Sequence, residues 1–434
     1  MLTRIEWSQA DAETRQRLFK RPSLGSDALK VAQSILDDVR ERGETAVREY
    51  ADRLDGWAPE AGFRVPQAEL KAAADALSED DRAAILDAAN AVRTFHAEQG
   101  FRSYEVETWP GARAGRRVTP IDVAGLYVPA GTAPLVSTLI MLAVPAQLAQ
   151  VPRIAVIAPP RKGQGVEPTV LAAASLLGVD EVYAIGGAHG VAALGLGAAG
   201  LPKADKIFGP GNAYVAAAKS LLAQSPDGAA ADLPAGPSEV MVVADDKADA
   251  ELVAIDLLSQ AEHDVLAQVV LVAYSDAFAR QVEDEIERLL GDLPRAETAR
   301  AALANSRVVL VSSDDEAAEA ANAYASEHLI VQTDDPRALA NKIRHAGSIF
   351  LGPWTPEAAG DYAAGPNHAL PTAGAARVYG GVTVEMFQKT TTVLELSQTS
   401  LQTLGPVVER LATLEGLDAH RLAMVLRRQR KADR

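Results

Sequence analysis

Hydrophobic and polar positions change rhythm three times along this 434-residue chain. Up to about residue 115, Ala/Leu/Arg/Glu-rich stretches at 26–55, 67–78 and 79–98 combine helix-forming residues with polar faces and predict helices. From 120 to 235, short β-rich runs at 123–128, 154–158, 181–185 and 206–208 alternate with Ala-rich helical stretches, the pattern of a βαβ layer. A second series follows, with runs at 239–244, 268–273, 307–311, 328–332 and 348–351 and helices near 247–262, 275–290 and 335–344. The expected fold is α/β: two Rossmann-like domains packed side by side, an internal structural repeat without a visible sequence repeat. The cleft between the layers is the default site. After Gly352 come a Pro/Gly-rich loop, a β-like stretch at 378–396 and an amphipathic helical tail from residue 404, more suited to docking on something than to folding alone.

Length implies two to four domains, and 48% apolar residues suffice for a core in each. The start, Met-Leu-Thr-Arg-Ile-Glu-Trp, has no basic-then-apolar leader, and no run of 18 apolar residues occurs, so the chain is read as cytoplasmic, neither exported nor membrane-spanning. Zero cysteines exclude disulfides, thiolate metal sites and cysteine nucleophiles. A formal charge of −16 disfavours nucleic acid and anionic lipid and favours a small-molecule role. The basic run at 427–431 is read as a solvated helix end with cations placed to suit the helix dipole.

Without cysteine, a tight divalent site must use nitrogen and oxygen donors. In Ser-Gln-Ala-Glu-His-Asp at 259–264, helical spacing sets Gln260 and His263 on one face, so that a carbonyl oxygen and an imidazole converge. Only seven histidines exist, and His263, His328, His368 and His420 all lie in polar or Gly/Pro-rich surroundings in the second half. Glu327 and His328 precede a strand, and both can serve one site only at the strand end, where they would pair carboxylate with imidazole for proton transfer. A capped strand start is the structural alternative. Asp361 and His368 share a Gly/Pro-rich loop, where Asx-turn chemistry is the competing explanation. His420 follows Gly416 and a candidate N-cap, Asp418, in the first turn of a new helix. The GxGxxG match at 195–200 is rejected, because a helical stretch precedes it and Leu201-Pro202 follows it. Gly186-Gly187 and Gly209-Pro210-Gly211-Asn212 each close a strand and open a helix, positions that suit either anion binding or turn-making.

Five motifs, taken together and in order, resemble the histidinol dehydrogenases. They are Phe-Gly-Pro-Gly-Asn at 208–212, Asp-Leu-Pro-Ala-Gly-Pro-Ser-Glu-Val at 232–240, Ser-Gln-Ala-Glu-His at 259–263, Ser-Glu-His-Leu-Ile at 326–330 and the 360–372 loop, Gly-Asp-Tyr-Ala-Ala-Gly-Pro-Asn-His-Ala-Leu-Pro-Thr. The likeness runs from about residue 40 to 428. The resemblance implies oxidation of L-histidinol to L-histidine through a bound aldehyde, with two NAD used in turn, as the last step of histidine biosynthesis. It also implies a homodimer with one Zn2+ per active site, each site shared between subunits. By motif, zinc would be held by Gln260, His263, Asp361 and the partner chain's counterpart of His420. Glu327 and His328 would transfer protons. Substrate would be contacted by Ser238, His368 and Glu415 together with His328 and the metal-binding residues. NAD would be contacted by Tyr127, Asn212 and the residue at 189.

The expected division is an N-terminal helical segment (1–20), a first Rossmann-like domain (21–126 and 236–378), a second that binds NAD (127–235), and a C-terminal dimerisation tail (379–434) exchanged with the partner. Two positions depart from the family pattern. His189 stands where the family has a cofactor-contacting Gln, changing reach and possible charge, and Ala130 replaces a glycine. Both bear on cofactor affinity rather than reaction type. Two rival functions are a dehydrogenase of the same fold for another small alcohol, and a zinc hydrolase using Glu327 as base for a metal-bound water. The presence of Ser238, His368 and Glu415 weighs against the first, and the two glycine-turn α/β layers against the second.

Overall fold

The structure, a computed structural model, describes residues 3–21, 26–129, 134–161, 163–234 and 236–430. Ala130 and Lys431 lie outside the described residues. Two parallel sheets form the frame. One orders its strands as Glu181–Ala184, Arg153–Ala158, Val123–Tyr127, Lys206–Phe208 and Ala230–Ala231. The other orders them as Thr3–Glu6, Arg307–Leu310, Gln268–Ala273, Glu239–Ala244, His328–Gln332 and Ser348–Leu351. Leaving out the N-terminal edge strand, both follow the chain in the order 3-2-1-4-5. The repeat invisible in sequence is therefore present in topology. Strands such as Glu239–Ala244 and Gln268–Ala273 are buried along their whole length, which is why they read as continuous apolar runs instead of alternating ones.

Several boundaries differ from expectation. The N-terminal segment contributes a helix, Ala12–Leu18, but also the Thr3–Glu6 strand, which pairs parallel with Arg307–Leu310. Trp7, just after it, is buried in the core beneath that sheet. The 26–55 helix is broken at Gly43, where φ of +55° ends Ser26–Arg42 and starts Glu44–Tyr50.

Domain membership changes as well. The helices at 26–96, expected with the first domain, pack on the sheet that begins with Val123–Tyr127: Ala32, Leu36, Val39 and Val47 share a core with Tyr127, Ile157, Val191 and Leu222. Leu70, Ala89 and Val92 join Leu126, Leu139 and Val170 in a second core on the same sheet. Val123–Tyr127 belongs wholly to that sheet, so the expected border at 126/127 cuts through a strand. The reason is packing: the helices' apolar stripes fit the Ala-rich helices of this layer, a match that no local pattern encodes.

Of the β-like 378–396 stretch, only Gln388–Leu396 is a strand, paired antiparallel with Ala112–Pro120, which also pairs with Tyr104–Trp109. The tail helices Gln398–Leu414 and Asp418–Gln429 pack on each other. They leave Leu411, Leu414, Leu417, Leu422 and Leu426 exposed. No helix among the described residues is long and apolar enough to cross a membrane.

Candidate active site

The N-terminal ends of the second sheet's strands supply one wall of the site. His328 is the first residue of the His328–Gln332 strand, with Glu327 immediately before it, so the pair stands at a strand end where both side chains can turn into one space. Ser238 lies just before the neighbouring strand Glu239–Ala244. The Glu239 N–H donates to Glu327 Oε2 at 3.0 Å. Beside them, Ala250–Ala261 carries Gln260 in its last turn, and His263 follows the C-cap Glu262, its N–H donating to the Gln260 carbonyl at 3.2 Å. The short helix Glu357–Tyr362 brings Asp361.

These groups surround His328. Its Nδ1 donates to Gln260 Oε1 at 3.1 Å and lies 3.7 Å from both Glu327 Oε2 and Glu357 Oε1. Its Nε2 is 3.5 Å from Asp361 Oδ1, an ion-pair approach longer than a formed hydrogen bond. Burial works against a charged His328, but the carboxylates of Glu357, Glu327 and Asp361 outweigh it and push the imidazole up to about 10. Glu327, fully buried, is pushed up to about 8 by desolvation despite the nearby imidazole. Burial would also raise Asp361, yet His328 holds it below the usual carboxylate range. His263 and His368 are pushed down by burial and so stand neutral, the form that coordinates or accepts a proton.

Glu357 was not among the expected residues. It sits one helical turn before Asp361, and that i, i+4 spacing of two acids was the available signal. One atom each of His328, Glu357 and Asp361 lie within 4.8 Å of one another. Gln260 Nε2, His328 Nε2 and Glu357 Oε2 are buried without hydrogen-bond partners. A buried cluster this rich in carboxylates, with unused polar atoms, has the chemistry of a cation site.

A cavity of about 830 Å3 adjoins this cluster, with His263 and Tyr362 on one side. Its other side is the C-terminal edge of the first sheet, where Tyr127 ends a strand and Gly187 and Gly211 follow two others. This is the position at which parallel α/β sheets take ligands. Tyr127 is buried and pushed up to about 12. Asn212 caps Ala213–Ala223, its side chain accepting from the Tyr214 and Val215 N–H groups at 3.1 Å each. His189 is buried, with Nε2 3.0 Å from Asp55 Oδ2. A smaller space of about 60 Å3 joins Gly209 and Gly211 to Ser238, Glu327 and His368.

The structure thus gathers Ser238, Gln260, His263, Glu327, His328, Asp361 and His368 around one center, with Tyr127, His189 and Asn212 along the adjoining cavity. Glu415 and His420 are not with them: both are exposed on the tail.

Residues 20–428 match the histidinol dehydrogenase family. The chain belongs to the histidinol dehydrogenase family. It is 45% identical over 425 residues to the histidinol dehydrogenase of Xanthomonas campestris pv. campestris (strain 8004), covering 98% of each chain. It is 43% identical over 427 residues to that of Escherichia coli (strain K12), covering 98% of this chain and 97% of the relative. The crystal structure of histidinol dehydrogenase from Elizabethkingia anophelis superimposes with a TM-score of 0.92 at 38% identity, covering 98% of each chain. An acetylating aldehyde dehydrogenase from Geobacillus thermoglucosidasius, 16% identical, covers 89% of this chain and 97% of its own with a TM-score of 0.50, a likeness of fold alone. The chain is accordingly an oxidoreductase of histidine biosynthesis, and the zinc-hydrolase reading is set aside.

Proposed function

We propose that this chain oxidises L-histidinol to L-histidine in a zinc-dependent, NAD-dependent four-electron reaction, as a homodimer whose two active sites are shared between subunits. The observation that carries this reading is the convergence of Gln260, His263 and Asp361 with Glu327 and His328 at the end of a cavity lined by Tyr127 and Asn212. Zinc, when bound by Gln260, His263, Asp361 and the partner's counterpart of His420, supplies a Lewis-acidic anchor for the substrate's amino and imidazole nitrogens. Tyr127 and Asn212 line the cavity that would hold NAD, whose nicotinamide would supply the hydride acceptor.

His328 takes the hydroxyl proton as hydride leaves the carbon that bears that hydroxyl. A cation held by Gln260 and Asp361 would occupy two acceptors beside the ring and so weaken its hold on a proton, while Glu357 and Glu327 stay next to it. Burial raises Glu327 to about 8, and its ionised form takes a proton from the water that adds to the aldehyde while His328 returns its proton to the carbonyl oxygen, so the ring is neutral again for the second oxidation. The gem-diol formed loses a second hydride while His328 takes the second proton. Ser238 and His368, on the small space that also holds Glu327, orient the substrate.

The exposed leucines of the tail support the dimer. Leu411, Leu414, Leu417, Leu422 and Leu426 are exposed on the same tail segment as Glu415 and His420, as expected if the tail covers a partner and delivers both polar groups to its site.

The test is NADH formed per L-histidinol at limiting substrate, before and after chelation. Two NADH per substrate, lost with the metal and restored by zinc, is the expected result. One NADH would remove Glu327 from the second half-reaction, and turnover indifferent to chelation would remove the zinc.

A further inference from the structure

Asp55 ends the helical segment Ala51–Asp55 and lines the large cavity, although no sequence motif marked it. Its Oδ2 accepts from the Gly186 N–H at 3.2 Å and pairs with His189 Nε2 at 3.0 Å. Gly186 is the N-cap of Gly187–Leu196, so the helix end that would attract a phosphate already holds a carboxylate. Oδ1 of Asp55 makes no hydrogen bond among the described residues, and His189 Nδ1 is buried without a partner. Nearby, Val31 and Leu54 expose apolar side chains on the cavity wall.

Charge on the cavity lining is one-sided. Asp55, Glu262 and Asp264 are acidic, while Arg295 is the only lysine or arginine among the described lining residues. Arg295 donates to the His263 carbonyl, which places it beside the metal-site wall and away from the wall that carries Asp55. Hydride transfer requires the nicotinamide near His328 and His263. The adenosine half must then extend toward the opposite wall, where apolar Val31 and Leu54 offer a surface for a base and Asp55 an acceptor for hydroxyls. A carboxylate accepts from a ribose 2′-hydroxyl and repels a 2′-phosphate.

Resting on the NAD-dependent reading above, we infer that Asp55, held by Gly186 and His189, binds the adenosine ribose hydroxyls and makes the site select NAD over NADP. His189 then acts as a positioning residue, fixing the Asp55 carboxylate by its Nε2 contact.

The test is direct binding by titration calorimetry of NAD, NADP and 2′-deoxy-NAD to the zinc-loaded wild type and to Asp55→Asn. The Asn side chain can still accept from the Gly186 N–H, so folding is retained while the charge is removed. Expected results are NAD binding on the order of tenfold or more tighter than NADP in the wild type, a loss for 2′-deoxy-NAD, and both differences reduced in Asp55→Asn. Equal wild-type affinities for NAD, NADP and 2′-deoxy-NAD would overturn the inference while leaving NAD dependence intact. Equal weakening of all three by Asp55→Asn would also overturn it, assigning Asp55 to loop support alone. Absence of any dinucleotide binding to the wild type would overturn the NAD-dependent reading itself, and this inference with it.

Discussion

Gln260 Oε1 accepts from His328 Nδ1 at 3.1 Å, so a helix end and a strand start, 68 residues apart in sequence, meet at one hydrogen bond. A proposed metal ligand is in contact with the proposed base. Binding of a cation there would be linked to the protonation of His328 through Gln260, and through Asp361 on the other face of the ring.

Glu327 offers the sharpest division between the two oxidations. Glu327→Gln keeps an acceptor for the Glu239 N–H but cannot take a proton from water. The aldehyde-to-acid half should slow by about 10²- to 10⁴-fold, with the first oxidation much less affected. Separate half-reaction rates with histidinol and histidinal check this, and equal losses would reassign Glu327.

The tail can be tested by complementation. Coexpressed His420→Asn and Glu327→Gln subunits form some mixed dimers. If His420 serves the partner's site, each mixed dimer has one site with both lesions and one with none. With random pairing, conversion of histidinal to histidine should recover to about a quarter of wild type, whereas each variant alone stays nearly inactive in that half-reaction. No recovery in verified mixed dimers would place His420 in its own subunit's site.

Asp256 accepts from Gln332 Nε2 at 2.9 Å, and burial pushes its carboxyl up to about 6. The folded chain therefore binds this proton more tightly than the unfolded chain. The resulting stabilisation is full below about pH 4 and is lost as pH rises through about 6. Asp256→Asn keeps an acceptor for Gln332 and removes the charge. It should be more stable at pH 7 by about 1–3 kcal/mol, with a flatter stability profile between about pH 4 and 6. Urea unfolding across that range measures both. A variant less stable at pH 7 would show that the charged carboxylate has a partner of its own.

Lys219 and Asp232 form a buried ion pair that holds the Gly209 peptide from both sides. Lys219 Nζ donates to the Gly209 carbonyl, and Asp232 Oδ2 accepts from its N–H, both at 2.7 Å. Gly209 has φ of +112°, and a side chain there would strike the Tyr127 carbonyl. Lys219→Met leaves a buried carboxylate uncompensated and should destabilise by about 3–5 kcal/mol. Adding Asp232→Asn should recover part of that loss in denaturant titration. No recovery would mean that packing, not charge, dominates the pair.

Much of the chain was legible from local pattern. Strands such as Glu239–Ala244 and Gln268–Ala273 announce themselves because burial on both faces demands unbroken apolar runs. Helix caps such as Ser275 and Asp249 are local chemistry, each side chain accepting from an N–H two or three residues on. The motifs holding Gln260, His263, Glu327, His328, Asp361 and His368 were readable because each is contiguous and built of residue types with a specific use. Only tertiary structure could place the 26–96 helices on the Tyr127 layer, since an apolar stripe specifies that it will be covered but not by which partner. The same holds for Asp55, Glu357 and the Lys219–Asp232 pair. Their roles arise from contacts with Gly186, His328 and Gly209, and a side chain's sequence neighbors carry no record of what long-range packing brings against it.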